Sequence, residues 1–221
     1  MSYIGRFAPS PTGPLHFGSL VAALASFLDA RNANGAWLLR IEDLDPPRES
    51  RTAHEKIMFQ LAKLGLKWDG DVLFQSSRQR EYLKKLEFLI EDDLVYPCVC
   101  TKKSTPAIYP GVCRKRKFND TRSEYAIRLK VELKNVSFND LLFGKRSWNF
   151  GKEVGDFIIK RKDGLFAYQF AVVIDDHFQG VNRVVRGIDL MESTPRQLAL
   201  YHTLGMNPPE YMHIPILVDR S

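Results

Sequence analysis

The sequence predicts an α/β fold in which a parallel sheet is interrupted by an inserted lobe. Three observations carry this: an opening β-α-β pattern, strand-like apolar runs that return in the last third, and a middle stretch where regular periodicity breaks down. With 221 residues, 44% of them hydrophobic, the chain can bury one sizeable core carrying a smaller lobe.

The first strand is the short apolar piece from Tyr3 to Ala8. A Pro/Gly-rich turn follows, and Leu20 to Arg31 then carries apolar residues at helical spacing. After the turn at Asn34-Gly35, Trp37 to Ile41 reads as a second buried strand, and the right-handed crossover rule places both strands in one sheet. Ala53 to Leu64 and Arg78 to Asp92 are amphipathic helices joined by a turn over Leu66 to Gly70. Between about Tyr96 and Lys152 the segments are short and mixed, as expected of an insertion. Strand-like runs return at Phe157 to Ile159, Ala171 to Ile174 and Arg183 to Val185, and a helix is predicted over Thr194 to Thr203. No internal repeat or low-complexity tract is found.

No run of about 18 apolar residues and no basic n-region followed by an apolar stretch is present, so neither a membrane span nor a signal peptide is expected and a cytoplasmic location is the default. The formal charge of +6 suits a polyanionic partner, though a solvated basic surface fits as well. Much of the charge lies in one stretch holding Lys102, Lys103 and the run Arg114 to Lys117. The same stretch holds all three cysteines, Cys98, Cys100 and Cys113. An odd number of crowded cysteines suits a metal site better than disulfides.

In Pro9-Ser-Pro-Thr-Gly-Pro-Leu-His-Phe-Gly18 the prolines stiffen a turn, while Gly13 and Gly18 permit close approach of a ligand to backbone. A helix starting near Ser19 would aim free amide groups at a nucleotide phosphate, with His16 in reach of its oxygens. On pattern alone, an ordinary Pro/Gly loop with an N-cap at Ser19 and a packed histidine fits equally.

The longer stretch Arg6-Phe-Ala-Pro-Ser-Pro-Thr-Gly-Pro-Leu-His-Phe-Gly18 resembles the first signature of class I aminoacyl-tRNA synthetases of the glutamyl and glutaminyl type. Arg40-Ile-Glu-Asp43 with Asp45 resembles the next motif. Tyr168, Asp175-Asp176, Val185-Arg-Gly-Ile-Asp189 and Ser193-Thr-Pro-Arg-Gln197 resemble the third. The resemblance implies a Rossmann-type parallel sheet bearing a zinc-bearing, tRNA acceptor-type lobe. Residues 1–95 and 167–221 would form the two halves of the catalytic domain and 96–166 the lobe. It implies His16 and Gly18 as catalytic residues, with Ser19 joining them in binding ATP as its Mg2+ complex. It also implies a glutamate pocket over Arg6, Phe7, Ala8, Pro9, Ser10, Glu42, Tyr168 and Arg186.

Free glutamate presents two carboxylates and one ammonium, so its pocket needs about two cations and one anion. Arg6, Arg186 and Glu42 supply that inventory, with Ser10 and Tyr168 as neutral partners; which arginine takes the side-chain carboxylate is open. Structural ion pairing is the competing account of each residue taken alone.

Leu15-His-Phe-Gly-Ser-Leu20, Arg40 to Arg48, Asp175-Asp-His-Phe-Gln-Gly180 and Arg186-Gly-Ile-Asp-Leu190 are similar to the glutamyl-Q subgroup, stand-alone catalytic halves. That likeness implies activation of L-glutamate without tRNA, then transfer to the queuosine base of tRNA(Asp), with no protein partner. Cys98, Cys100 and Cys113 fall one short of a tetrahedral zinc site, and the subgroup's pattern makes Tyr109 the fourth ligand; on general grounds water or histidine serves as well, and buried free thiols are the bland account. The lobe would then offer Lys102, Lys103 and Arg114 to Lys117 to tRNA phosphates. A Lys-x-Ser-Lys loop that clamps ATP is expected shortly after Pro215 to Val218, and the chain ends first. The alternatives are a fragment of a glutamyl-tRNA synthetase charging tRNA(Glu) and a non-catalytic tRNA-binding relative.

Overall fold

A computed structural model describes residues 2–50, 52–101, 105–118 and 124–215. Strands β1 (Ile4–Phe7), β2 (Ala36–Ile41) and β3 (Leu73–Phe74) form a parallel sheet in that order, with Ile4 opposite Ala36 and Arg40 opposite Leu73. Helix α1 (Phe17–Asn32) makes the crossover from β1 to β2. Its buried residues Ala23, Ser26 and Ala30 are small, which lets the helix lie close to the sheet. Trp37, fully buried, satisfies its single donor on Ser26 Oγ at 2.9 Å.

A second parallel pair, β9 (Arg183–Gly187) and β10 (Glu210–Ile214), is joined through α5 (Thr194–Thr203). Asn182, just before β9, bridges it to β1: its amide N–H donates to Ile4 O at 3.0 Å, and its Oδ1 accepts from Ile4 N–H at 2.9 Å. From this seam the chain crosses outward in opposite senses, to β2 on one side and β10 on the other. That is a topological switch point, where open α/β sheets leave a crevice beyond the carboxyl ends of their strands.

Helices α2 (Ala53–Lys63) and α3 (Gln79–Glu91) bury Ala53, Ile57 and Leu61, and Tyr82, Leu86 and Leu89, as their periodicity predicts. The predicted strand at Ala171 to Ile174 is wrong: it lies inside helix α4 (Tyr168–Phe178), which buries every residue from Phe170 to Asp176. A helix buried all round loses its 3.6 period, so a short apolar run there cannot be told from a strand.

Between α3 and α4 lie an antiparallel sheet, β4 (Val95–Cys98), β5 (Ala126–Leu129) and β8 (Ile158–Lys160), and a hairpin, β6 (Asn135–Asp140) with β7 (Gly144–Asn149). These strands share one apolar cluster with α3, α4 and α5, so the region is not set apart by its own core. The hairpin reaches β10: Phe138 meets Tyr211 edge-on, and Leu141 N–H donates to Tyr211 O at 2.9 Å. Among the described residues, no helix is long and apolar enough to cross a membrane.

Candidate active site

A cavity of about 730 Å³ opens beyond the ends of β1 and β9. Its wall includes Arg6 to Ser10, Gly13, His16, Gly18, Ser19, Tyr168, Arg186 and Asp189. The switch point thus gathers the residues expected to bind glutamate and ATP, with one exception. Glu42 is the exception: it is absent from the wall, and its amide instead holds the loop by donating to Pro9 O at 3.0 Å.

Helix α1 begins at Phe17, earlier than expected, and its N-cap is His16, not Ser19. His16 Nδ1 accepts from Ser19 N–H at 3.3 Å, and its Nε2 lies 2.9 Å from Ser19 Oγ. The side chain is exposed, so a ligand at the helix N-terminus meets the imidazole and the first-turn amides together. A Cβ on Gly18 would come within 3.3 Å of the His16 ring, so glycine keeps that ring unobstructed.

Two expected glutamate ligands belong to a buried ion network. Asp176 of α4 receives Arg6 Nε at 3.1 Å, Arg6 Nη2 at 3.4 Å and Arg40 Nη1 at 2.7 Å. Arg40 also reaches Glu42 Oε1 at 3.3 Å. Two cations therefore face two carboxylates, all with side-chain exposures of 6% or less. Burial alone pushes the Asp176 carboxyl up, but Arg40 and Arg6 outweigh it and hold it below the usual range. For Glu42 burial prevails, and its carboxyl is pushed up despite the same two arginines.

Arg186 is placed differently. It is buried, yet among the described residues no carboxylate lies within ion-pairing distance of it. Its Nε donates to His213 Nε2 at 3.0 Å, Nη2 to Thr194 Oγ1 at 2.8 Å, and Nη1 to Tyr168 Oη at 3.4 Å. Behind it, His213 Nδ1 lies 2.7 Å from Asp140 Oδ2 in the β6–β7 hairpin. Asp140 and His213 carry no role in the sequence reading, for they lie 73 positions apart and form no local motif. The alternation in β10, which buries Tyr211 and His213, was the available signal.

The cysteine cluster is assembled as its spacing suggested. The Sγ atoms of Cys98, Cys100 and Cys113 all lie within 4.8 Å of one another, a set able to hold a metal ion. Tyr109 Oη sits among them, 3.5 Å from Cys98 Sγ and 3.4 Å from Cys100 Sγ. Cys100 and Cys113 are 3.6 Å apart, close to the ~3.8 Å edge that zinc–sulfur bonds of about 2.3 Å give a tetrahedron. Burial pushes the Cys98 thiol up, but hydrogen bonding with Tyr109 and the Arg128 Nε–H prevails and holds it at about 7. Of the basic residues expected to meet tRNA, Arg114, partly exposed, also grips buried Asp156 through Nε at 2.6 Å and Nη2 at 2.7 Å. Lys102 and Lys103 lie outside the described residues.

A profile of the tRNA synthetases class I (E and Q), catalytic domain, matches residues 4–106 and 112–221. The chain belongs to this family. As a class I synthetase domain it is an aminoacyl-tRNA synthetase-like ligase, and the family acts on an amino acid, ATP with Mg2+ and tRNA. A curated relative from Pseudomonas putida (strain GB-1), named glutamyl-Q tRNA(Asp) synthetase, is 52% identical over 221 residues, covering 99% of this chain and 74% of its own length. One from Ectopseudomonas mendocina (strain ymp), with the same name, is 51% identical with the same coverage. The synthetase domain also superimposes on the solved glutamate tRNA ligase from Elizabethkingia meningosepticum CCUG26117, in complex with its amino acid. The TM-score is 0.89 at 28% identity, covering 99% of this chain and 50% of that one. The chain thus spans about half the length of that solved structure.

Proposed function

We propose that this domain activates L-glutamate with Mg·ATP, without needing tRNA, and transfers the glutamyl group to the queuosine base in the anticodon of tRNA(Asp). The observation that carries the reading is Arg186, a buried guanidinium on the cavity wall that, among the described residues, has no carboxylate within ion-pairing distance. A guanidinium has five N–H donors. Three are engaged by His213, Thr194 and Tyr168, which leaves two, one on each terminal nitrogen. That pair matches the two oxygens of a carboxylate. Arg6 contributes positive potential, and Ser10 and Tyr168 hydrogen-bond to the amino acid, whereas Glu42, off the cavity wall, supports the loop from behind.

In the first step a glutamate α-carboxylate oxygen attacks the ATP α-phosphorus, forming the adenylate as the bond to the bridging oxygen breaks and pyrophosphate leaves. His16, Gly18, Ser19 and the N-terminal amides of α1 stabilise the charge that develops on the phosphate. In the second step a queuosine hydroxyl attacks the glutamyl carbonyl, releasing AMP and a proton. A structural zinc ion held by Cys98, Cys100, Cys113 and Tyr109 pins the segment around β4, in keeping with a donor set of three thiols and a phenol.

The test offers the protein labelled glutamate and ATP with tRNA(Asp) bearing queuosine, with tRNA(Asp) lacking it, and in a third reaction with tRNA(Glu). Label retained only by the queuosine-bearing tRNA is the expected result. Equal labelling of both, or labelling of tRNA(Glu) at its 3′ end, would sink the assignment. Arg186→Ala should abolish glutamate-dependent ATP–pyrophosphate exchange, and near-normal exchange would remove Arg186 from the pocket.

A further inference from the structure

We propose that His213 and Asp140 are positioning residues for Arg186, forming a buried relay through which the β6–β7 hairpin orients the arginine toward the amino acid's carboxylate. The proposal rests on the assignment of Arg186 to the amino-acid pocket and adds what holds it there.

The hydrogen-bond roles are forced by the neighbours. Arg186 Nε can only donate, so His213 Nε2, 3.0 Å away, must accept. Thr194 Oγ1 accepts from Arg186 Nη2 at 2.8 Å and lies 3.3 Å from His213 Nε2, whose single lone pair is taken by the Arg186 Nε–H. The imidazole proton therefore sits on Nδ1, from which it is donated to Asp140 Oδ2 at 2.7 Å. A charged imidazolium would set two donors against each other at Arg186, so His213 serves as a neutral spacer.

Asp140 is unusually well suited to this task. Its Oδ2 also accepts from the His213 amide at 3.1 Å, and its Oδ1 from the amides of Leu142 and Phe143 at 3.1 and 2.9 Å. Four donors converge on two oxygens, a demand that a carboxylate meets and an amide does not. Asp140, His213 and Thr194 are all essentially inaccessible to solvent. The negative charge that balances Arg186 is thus held one imidazole away, too far to pair with it directly. The outer N–H groups of Arg186 stay open to the cavity. The balancing carboxylate comes from the inserted region, so the seating of the hairpin against β10 and the aim of the pocket arginine are one structural event.

Two substitutions at His213 separate positioning from packing. His213→Gln can still present an acceptor oxygen to Arg186 Nε, whereas His213→Phe fills the ring volume without one. With Asp140→Asn they form the test set, and all three are assayed in the full-length protein by ATP–pyrophosphate exchange and by NMR of 15N-labelled arginine and histidine. Expected for His213→Phe and Asp140→Asn is a rise in KM for glutamate of about 10- to 100-fold, the range for a lost hydrogen bond to a charged group. KM for ATP should hold and kcat should change much less, with His213→Gln recovering most of the loss. In the unmodified protein the Arg186 Nε–H signal should be protected from solvent exchange and His213 should carry its proton on Nδ1. Both signatures should disappear in Asp140→Asn. Equal effects of His213→Gln and His213→Phe, or a protected Arg186 signal in Asp140→Asn, would overturn the relay. Absence of glutamate-dependent exchange in the unmodified protein would overturn the functional reading, and the two NMR signatures would still decide the relay.

Discussion

Replacing Asp176 by Asn tests the buried charge balance most directly. The change keeps side-chain volume and removes one charge from a set in which Arg6 and Arg40 face Asp176 and Glu42. Asp176 accepts three charge-assisted hydrogen bonds, at 3.1, 3.4 and 2.7 Å. An amide cannot accept all three, because half of its polar edge donates. Two buried cations would then face one carboxylate, and removing one partner of such a pair costs about 3–5 kcal/mol. For a chain of this length each kcal/mol moves the melting temperature by roughly 2–4 °C, so a drop of about 6–20 °C is expected. Thermal unfolding followed by near-UV circular dichroism reads it. The double replacement Asp176→Leu with Arg40→Met should melt higher than Asp176→Asn, since it leaves Arg6 opposite Glu42 as the remaining charges. A single variant melting within about 2 °C of the unmodified protein, the scale of an exposed ion pair, would refute the reasoning.

Three further expectations follow from named contacts. Purified without chelator, the protein should carry about one zinc per chain by elemental analysis, and Cys100→Ser should lower that content sharply. Gly155 has φ of +68°, and a Cβ there would lie 2.9 Å from the Tyr109 backbone. Gly155→Ala should therefore destabilise the fold by about 1–3 kcal/mol and weaken metal retention, read by urea titration and metal release to a chromogenic chelator. Asp140, Asp156 and Asp176 all have folded carboxyl pKa values held below their unfolded values. The native state then binds fewer protons than the unfolded one, so their contribution is complete above about pH 4 and is lost as pH falls through the folded values. Urea midpoints should decline on that acid side, and less steeply in Asp176→Asn.

Periodicity and turn residues made much of the fold legible. The β1-α1-β2 unit, α2, α3, β9 and α5 stand close to where the pattern put them: α2 and α3 bury one face and leave the other wet, and β1, β2 and β9 are short buried apolar runs bounded by turn residues. Helix α4 was misread where burial erased its polar face, and β3, of two residues, is too short to leave a pattern. Strands β4, β5 and β10 leave little signal because their pairing partners are distant in sequence, and the β6–β7 hairpin because its connection, Leu141 to Phe143, is apolar and lacks the usual turn residues.

The sequence by itself determined the chemical inventory: a Pro/Gly loop ahead of a helix and three crowded thiols, to which the family resemblance adds two arginines and a glutamate for one amino acid and a tyrosine as fourth ligand. Tertiary structure decided how that inventory is divided. Arg6 is committed to Asp176, 170 positions away, while Arg186 is held by His213 with its balancing charge one residue removed. Arg114 likewise serves Asp156 within the fold. The physical reason is that a guanidinium carries the same charge wherever it stands, and only three-dimensional proximity decides which carboxylate takes up its donors and which arginine is left open to the cavity.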